Sequence, residues 1–169
     1  MKKMFYPILG LLLLTSCKDN EITTTVSSPL NAEVNSVVRC NFDVTNDTNQ
    51  FGRYEIQPDF VPSGTKLHFT VSGKDLQVNP VAGYNYQDVV VTGVVGADGK
   101  LKVSVPVGSN VSNISIGGDE FEANYTYIDF NRANKPEKLV RKETFRLIPV
   151  TISLKSGFNI VQSLTYSKK

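Results

Sequence analysis

The chain reads as all-β, a single Greek-key β-sandwich of seven to nine short strands, and three observations carry that reading. Apolar and polar residues alternate at period two in segment after segment, as where Leu67, Phe69 and Val71 interleave with Lys66, His68 and Thr70. Clusters of Gly, Pro, Asn and Asp punctuate these segments about every 8 to 12 residues. Beyond the first apolar stretch, helical periodicity is sustained nowhere over about 10 residues.

The first element is a leader. Lys2 and Lys3 precede an apolar run from Phe5 to Leu14, which is a signal-peptide core and too short to span a bilayer. The run ends in Leu14-Thr15-Ser16-Cys17, which resembles the lipobox of bacterial lipoproteins. That resemblance implies cleavage after Ser16 and a diacylglyceryl thioether on Cys17, whose thiolate is the only such nucleophile in the region. Each buried methylene contributes about 0.8 kcal/mol, so two or three acyl chains anchor a soluble domain stably. Lys18, Asp19 and Glu21 follow, similar to the lysine-plus-acidic export signal on surface-exposed lipoproteins of the Bacteroidota. The expected location is therefore the outer membrane, lipid-anchored and facing the cell surface, with a periplasm-facing orientation as the alternative.

Three regions follow: a signal peptide over 1–16, the lipidated Cys17 with a Thr- and Ser-rich tether over 17–31, and the β-sandwich over 32–169. The tether gives a mean reach of about 20 Å. Of 169 residues, a leader of 16 leaves 153, enough for one domain with a substantial core. The leader holds two of the 18 basic residues and none of the 16 acidic ones, so the formal charge falls from +2 to zero. That balance provides no electrostatic footprint for nucleic acid. With Cys17 lipidated, Cys40 has no disulfide partner and reads as a small buried hydrophobe.

The strands follow in order. Val38, Cys40, Phe42 and Val44 alternate with Arg39, Asn41 and Asp43, and a polar turn over Thr45 to Gln50 leads to a short segment at Tyr54 to Ile56. Pro62-Ser63-Gly64 then turns the chain into Lys66 to Ser72. Gly73 to Tyr84 is a long loop, with a short strand expected at Leu76 to Val78. The β-branched run Tyr86 to Val95, the turn Ala97-Asp98-Gly99-Lys100 and the alternating Leu101, Val103 and Val105 predict a β-hairpin. Further strands are Val111 to Ile116, then Phe121 to Ile128 after a Gly117-Gly118 turn. Leu139 to Leu154 is broken by Pro149, and Asn159 to Tyr166 comes last.

The sequence of these motifs resembles the transthyretin-like, carboxypeptidase-regulatory-like domains of Bacteroidota lipoproteins. The residues that carry the resemblance are Val38 to Val44, Pro62-Ser63-Gly64-Thr65-Lys66, Gly96-Ala97-Asp98-Gly99-Lys100 and Phe121-Glu122-Ala123. An immunoglobulin-like sandwich is the alternative, because alternation does not report strand pairing. The resemblance implies a surface module, in some cases tied to polysaccharide uptake or adhesion.

No catalytic group, metal site or cofactor is expected. A hydrolytic triad or an imidazole zinc site needs well-placed histidines, and His68 is the only one, on the outer side of its strand. Asp98-Gly99-Lys100 is explained by its turn, and Asp119, Glu120 and Glu122 by a solvated edge. Tyr84 and Tyr86 beside Asn85 are the candidates for stacking on a sugar, ahead of Tyr125 and Tyr127, whose face they share with Phe121. The expected function is a non-enzymatic surface lipoprotein that acts as a binding or structural module of unspecified ligand, with a protein or a glycan as its partner at the surface. A glycan-binding component of a polysaccharide-uptake system is the alternative. Coplanar exposed aromatics on loops would favour the glycan, and a smooth surface with a free strand edge would favour the protein.

Overall fold

The structure, a computed structural model, describes residues 30–45, 56, 58–129 and 137–169. Cys17, Lys18, Asp19, Glu21, the turn beyond Thr45, most of the Tyr54 to Ile56 segment and the loop around Pro136 lie outside the described residues. The fold is all-β, two sheets packed face to face as a sandwich. Its strands are β1 (Leu30–Cys40), β2 (Asp59–Phe60), β3 (Lys66–Val71), β4 (Val89–Val94), β5 (Lys100–Val107), β6 (Ser112–Gly118), β7 (Phe121–Asp129), β8 (Glu137–Leu147), β9 (Val150–Leu154) and β10 (Asn159–Lys168). Ten strands among the described residues exceed the seven to nine expected, partly because two-residue β2 is too short for alternation to reveal.

The first sheet runs β2-β1-β10-β8-β7, with β5 also paired to β1. The first and last strands lie parallel, Glu33 to Cys40 beside Asn159 to Tyr166. β5 and β2 share the other edge of β1, antiparallel to it. The second sheet runs β4-β3-β6-β9, antiparallel throughout.

Several expectations are corrected by this topology. The first strand begins at Leu30, inside the stretch read as tether, and ends at Cys40 rather than Val44. Leu76 to Val78 forms no strand. The segments read as a hairpin do not pair: β4 joins β3 in the second sheet, while β5 joins β1 in the first. The turn chemistry is as expected, with Gly99 at φ 68° and Gly96 N–H donating to Lys100 O at 2.8 Å. Its two arms nevertheless stack face to face. Gly93 explains why, since a Cβ there would lie 2.5 Å from Leu101 Cδ1, so the leucine fills the space above the glycine. Gly117 and Gly118 sit inside β6 instead of forming a turn. A Cβ on Gly118 would lie 2.1 Å from Tyr166 Oη, which passes over it to donate to Asp119 O at 3.1 Å.

The faces follow the alternation. Leu67, Phe69 and Val71 are buried, as are Leu101, Val103 and Val105, and Ile114 and Ile116. β1 contributes Ala32, Val34, Ser36, Val38 and Cys40. Beyond Cys40 the chain crosses to the outer edge of β7, where Thr126 N–H donates to Phe42 O at 2.7 Å and Val44 N–H to Thr126 O at 2.9 Å. This wraps one end of the first sheet around an aromatic cluster. Phe145 lies 5.2 Å from Phe42, 5.7 Å from Phe121 and 6.2 Å from Tyr125, centroid to centroid, and Phe121 lies 5.1 Å from Tyr166. Offset and edge-on contacts of this kind add to simple burial.

Candidate functional site

Three regions carry side chains with functional chemistry, and a fourth carries bare backbone. The first is the loop between β3 and β4, which holds Tyr84 and Tyr86. Its base is closed at Gly73, where a Cβ would lie 2.0 Å from Gln87 O, and Gly73 N–H donates to Asp88 Oδ1 at 3.3 Å. Asp75 ties the loop to β6 by accepting from Asn113 N–H at 2.9 Å. Short ends and internal bonds of this sort make a compact Ω-type loop. The tyrosine rings are 4.6 Å apart but inclined at 59°. Tyr86 Oη accepts from Val81 N–H at 2.9 Å, while Tyr84 is 66% exposed, and Val78 and Val81 of the same loop are exposed as well. The loop therefore offers one exposed ring rather than a coplanar pair.

A nearly coplanar pair does exist on β7. Tyr125 and Tyr127 lie 5.8 Å apart at 19°. Their faces are taken: Lys168 Nζ stands 4.9 Å above Tyr125 and the Arg141 guanidinium 5.2 Å from Tyr127. Each is a cation–π contact. Tyr125 also packs on Phe145, so these rings belong to the edge of the aromatic cluster. Tyr127 Oη is buried without a partner among the described residues.

The third region is a row across the outer face of the second sheet. His68 Nε2 lies 2.8 Å from Asp119 Oδ1, and its Nδ1 lies 3.3 Å from Thr92 Oγ1. Hydroxyl, imidazole and carboxylate in line is the order of a nucleophile, its base and an orienting acid. Acyl transfer also needs donors aimed at the developing oxyanion and a site that excludes water. This row lies on the open face of neighbouring strands, with Thr92 exposed. What it does structurally is hold Asp119, whose carbonyl receives the Tyr166 hydroxyl. Burial, with the Asp119 charge adding, pushes the Tyr166 phenol up to about 12.

Cys40 is fully buried, and that burial, with the Asp59 charge adding to it, pushes its thiol up to about 12. Such a thiol is protonated and inert at neutral pH. Among the described residues no group of three His, Cys, Asp or Glu gathers as a metal site. Nor is any described helix long and apolar enough to cross a membrane.

The fourth region is the outer edge of β4, which is open because β4 pairs with β3 and not with β5 as a hairpin would require. Among the described residues only β3 pairs with β4. Val95 N–H donates to Thr65 O at 2.9 Å and its carbonyl accepts from Gly64 N–H at 2.9 Å, so Val95 bonds toward β3. Backbone groups alternate in direction along an antiparallel strand. Val91 and Gly93 therefore also bond inward, and Val90, Thr92 and Val94 point their N–H and C=O groups outward. Natural edges are usually blunted by charge, proline or a bulge. Val89–Val94 contains no charged residue and no proline, and Val90 and Val94 are 56% and 54% exposed. The sequence signal was available in Val89-Val90-Val91-Thr92-Gly93-Val94, an uncharged β-branched run that only a pairing partner would normally cover. No protein-family model matches this chain, and no curated protein matches it.

Proposed function

We propose that the protein is a non-enzymatic, lipid-anchored module of the cell envelope, displayed at the cell surface, whose sandwich takes up an extended segment of a protein by strand addition at β4. The observation that carries this reading is the uncharged outer edge of Val90, Thr92 and Val94, whose outward backbone groups pair with no strand among the described residues and whose valines are exposed. Main-chain bonds supply affinity in such complexes and alternate side chains supply specificity. The anchor rests on Leu14-Thr15-Ser16-Cys17, and surface display on Lys18, Asp19 and Glu21. Strand pairing favours the transthyretin-like form of the sandwich over the immunoglobulin-like one. In an immunoglobulin constant-type domain the first two strands share a sheet, whereas here the first two long strands, β1 and β3, lie in opposite sheets.

A photo-crosslinking residue at position 92, with position 115 on the exposed face of β6 as control, tests the edge in intact cells. Position 92 should yield a protein adduct and position 115 should not. A second reading, a glycan-binding component of a polysaccharide-uptake system, is favoured by the exposed Tyr84 ring on a loop that also exposes Val78 and Val81. Absence of adducts at position 92, together with oligosaccharide binding that Tyr84→Ala abolishes, would replace the first reading with the second.

A further inference from the structure

The outer edge of β4 is complementary to itself, and we propose that its partner is a second copy of this chain, paired antiparallel about a two-fold axis at Thr92. This inference rests on the strand-addition reading and names the occupant of that edge.

Direction is the first argument. A closed two-fold contact uses the same surface on both copies, and narrow antiparallel pairs form only between residues whose backbone groups face each other. On β4 those residues are Val90, Thr92 and Val94. Centring the axis on Thr92 uses all of them: Thr92 opposes its own counterpart, Val90 opposes Val94, and Val94 opposes Val90. Centring on Val90 or Val94 instead leaves part of the outward set without a counterpart in the strand.

Side chains agree with that register. On the outer face, valine meets valine on either side of a threonine–threonine pair, combinations that stabilise cross-strand contacts. On the inner face Val91 meets Gly93, the position held small by Leu101. Charge is the second argument, because like charges directly opposite one another destabilise a sheet. The edge carries none, so a copy meets no repulsion. Lys66 of β3 is in register with Val94 and would be separated from its counterpart by both β4 strands. The union would give one continuous sheet, β9-β6-β3-β4 followed by the same strands in reverse.

Cysteine scanning reads out both partner and register. In the full chain carrying Cys17→Ser, Thr92→Cys should give a disulfide-linked dimer on a non-reducing gel. Directly opposed residues in a narrow pair have Cα atoms about 5.5 Å apart, within disulfide range. Val90→Cys alone and Val94→Cys alone should not cross-link, since each lies roughly 13 Å along the strand from its own counterpart. Mixing those two variants should give the dimer. Cys40 does not interfere, being buried with its thiol pushed up to about 12. All three positions are exposed, so the variants should fold. In sedimentation, Val90→Lys with Val94→Lys should move the chain to monomer, and Val90→Lys with Val94→Glu should restore the dimer.

Equal cross-linking by all single cysteines, or chains longer than dimers from β4 meeting the β9 edge, would overturn the two-fold register. A position-92 photo-adduct with a different protein, and no self-linked band, would overturn the second copy and leave strand addition standing. Absence of any adduct would overturn both.

Discussion

Phe145 is where the wrapped end of the first sheet is most exposed to test. Its ring is 1% exposed and lies against Phe42, Phe121 and Tyr125. Burying a phenylalanine contributes roughly 1.5 to 3 kcal/mol by transfer alone. Each aromatic contact adds about 0.5 to 1.5 kcal/mol, although the three overlap. Truncation to Ala also leaves a cavity, and the total should fall at about 3 to 5 kcal/mol. That is a large share of the 5 to 15 kcal/mol by which domains of this size are typically stable. Phe145→Leu keeps much of the volume and loses the ring contacts, so about 1 to 3 kcal/mol is expected. Val140→Ala, on the same strand and exposed, should cost about 0.5 kcal/mol or less. Urea unfolding of these variants in the Cys17→Ser chain, with the slope checked for constancy, measures all three. A loss below about 1.5 kcal/mol for Phe145→Ala, or equal losses for Phe145→Ala and Val140→Ala, would mean that Phe145 is not enclosed and that the closure by Phe42 and Thr126 is wrong.

Further outcomes follow from the anchor, the buried acids and the loop. Cys17→Ser should release the domain from membranes on fractionation, and protease added to intact cells should remove the native domain; a membrane-bound mutant of unchanged mass would end the anchoring argument. Cys40 and Tyr166 are both held neutral, with folded values of about 12 against 9.0 and 10.0 for the free groups. A raised folded value means the native state keeps a proton that the unfolded chain releases, so stability should be complete below pH 9 and fall as pH rises toward 12. Tyr166→Phe should flatten that decline, and an unchanged alkaline profile would contradict burial of the phenol. Gly73→Ala should destabilise the loop base by about 1 to 3 kcal/mol, because the new methyl meets the Gln87 carbonyl; proteolysis near Tyr84 should accelerate, and an unaffected cleavage rate would show that the base is not closed.

The turn at Gly96 to Lys100 joins strands of opposite sheets, a pairing that local residues do not encode. Ala97-Asp98-Gly99-Lys100 is good turn chemistry whether the strands beside it pair edge to edge or stack face to face, since both require Gly99 at positive φ. Glycines were equally ambiguous. Gly117 and Gly118 looked like a turn and are instead strand residues, with Gly118 kept small by Tyr166 Oη. The tyrosines were located as residues, but the inclination of Tyr84 to Tyr86 and the cations over Tyr125 and Tyr127 arise from residues distant in the chain or from local loop bonds. The edge of β4 was hidden for the same reason: an edge is defined by what does not pair with it.

By itself the sequence determined the fold class, the inward faces and the break at Pro149. Those properties are local, since period-two alternation assigns Leu67, Phe69 and Val71 to one side of a strand wherever that strand lies. Tertiary structure alone decided that β4 joins β3, that β5 joins β1, and that the first strand lies parallel to the last. Ladder hydrogen bonds are made by backbone groups common to every residue, so neighbours are chosen by how side chains pack between the sheets. Leu101 over Gly93 and Tyr166 over Gly118 are such choices, made between residues that no local pattern connects.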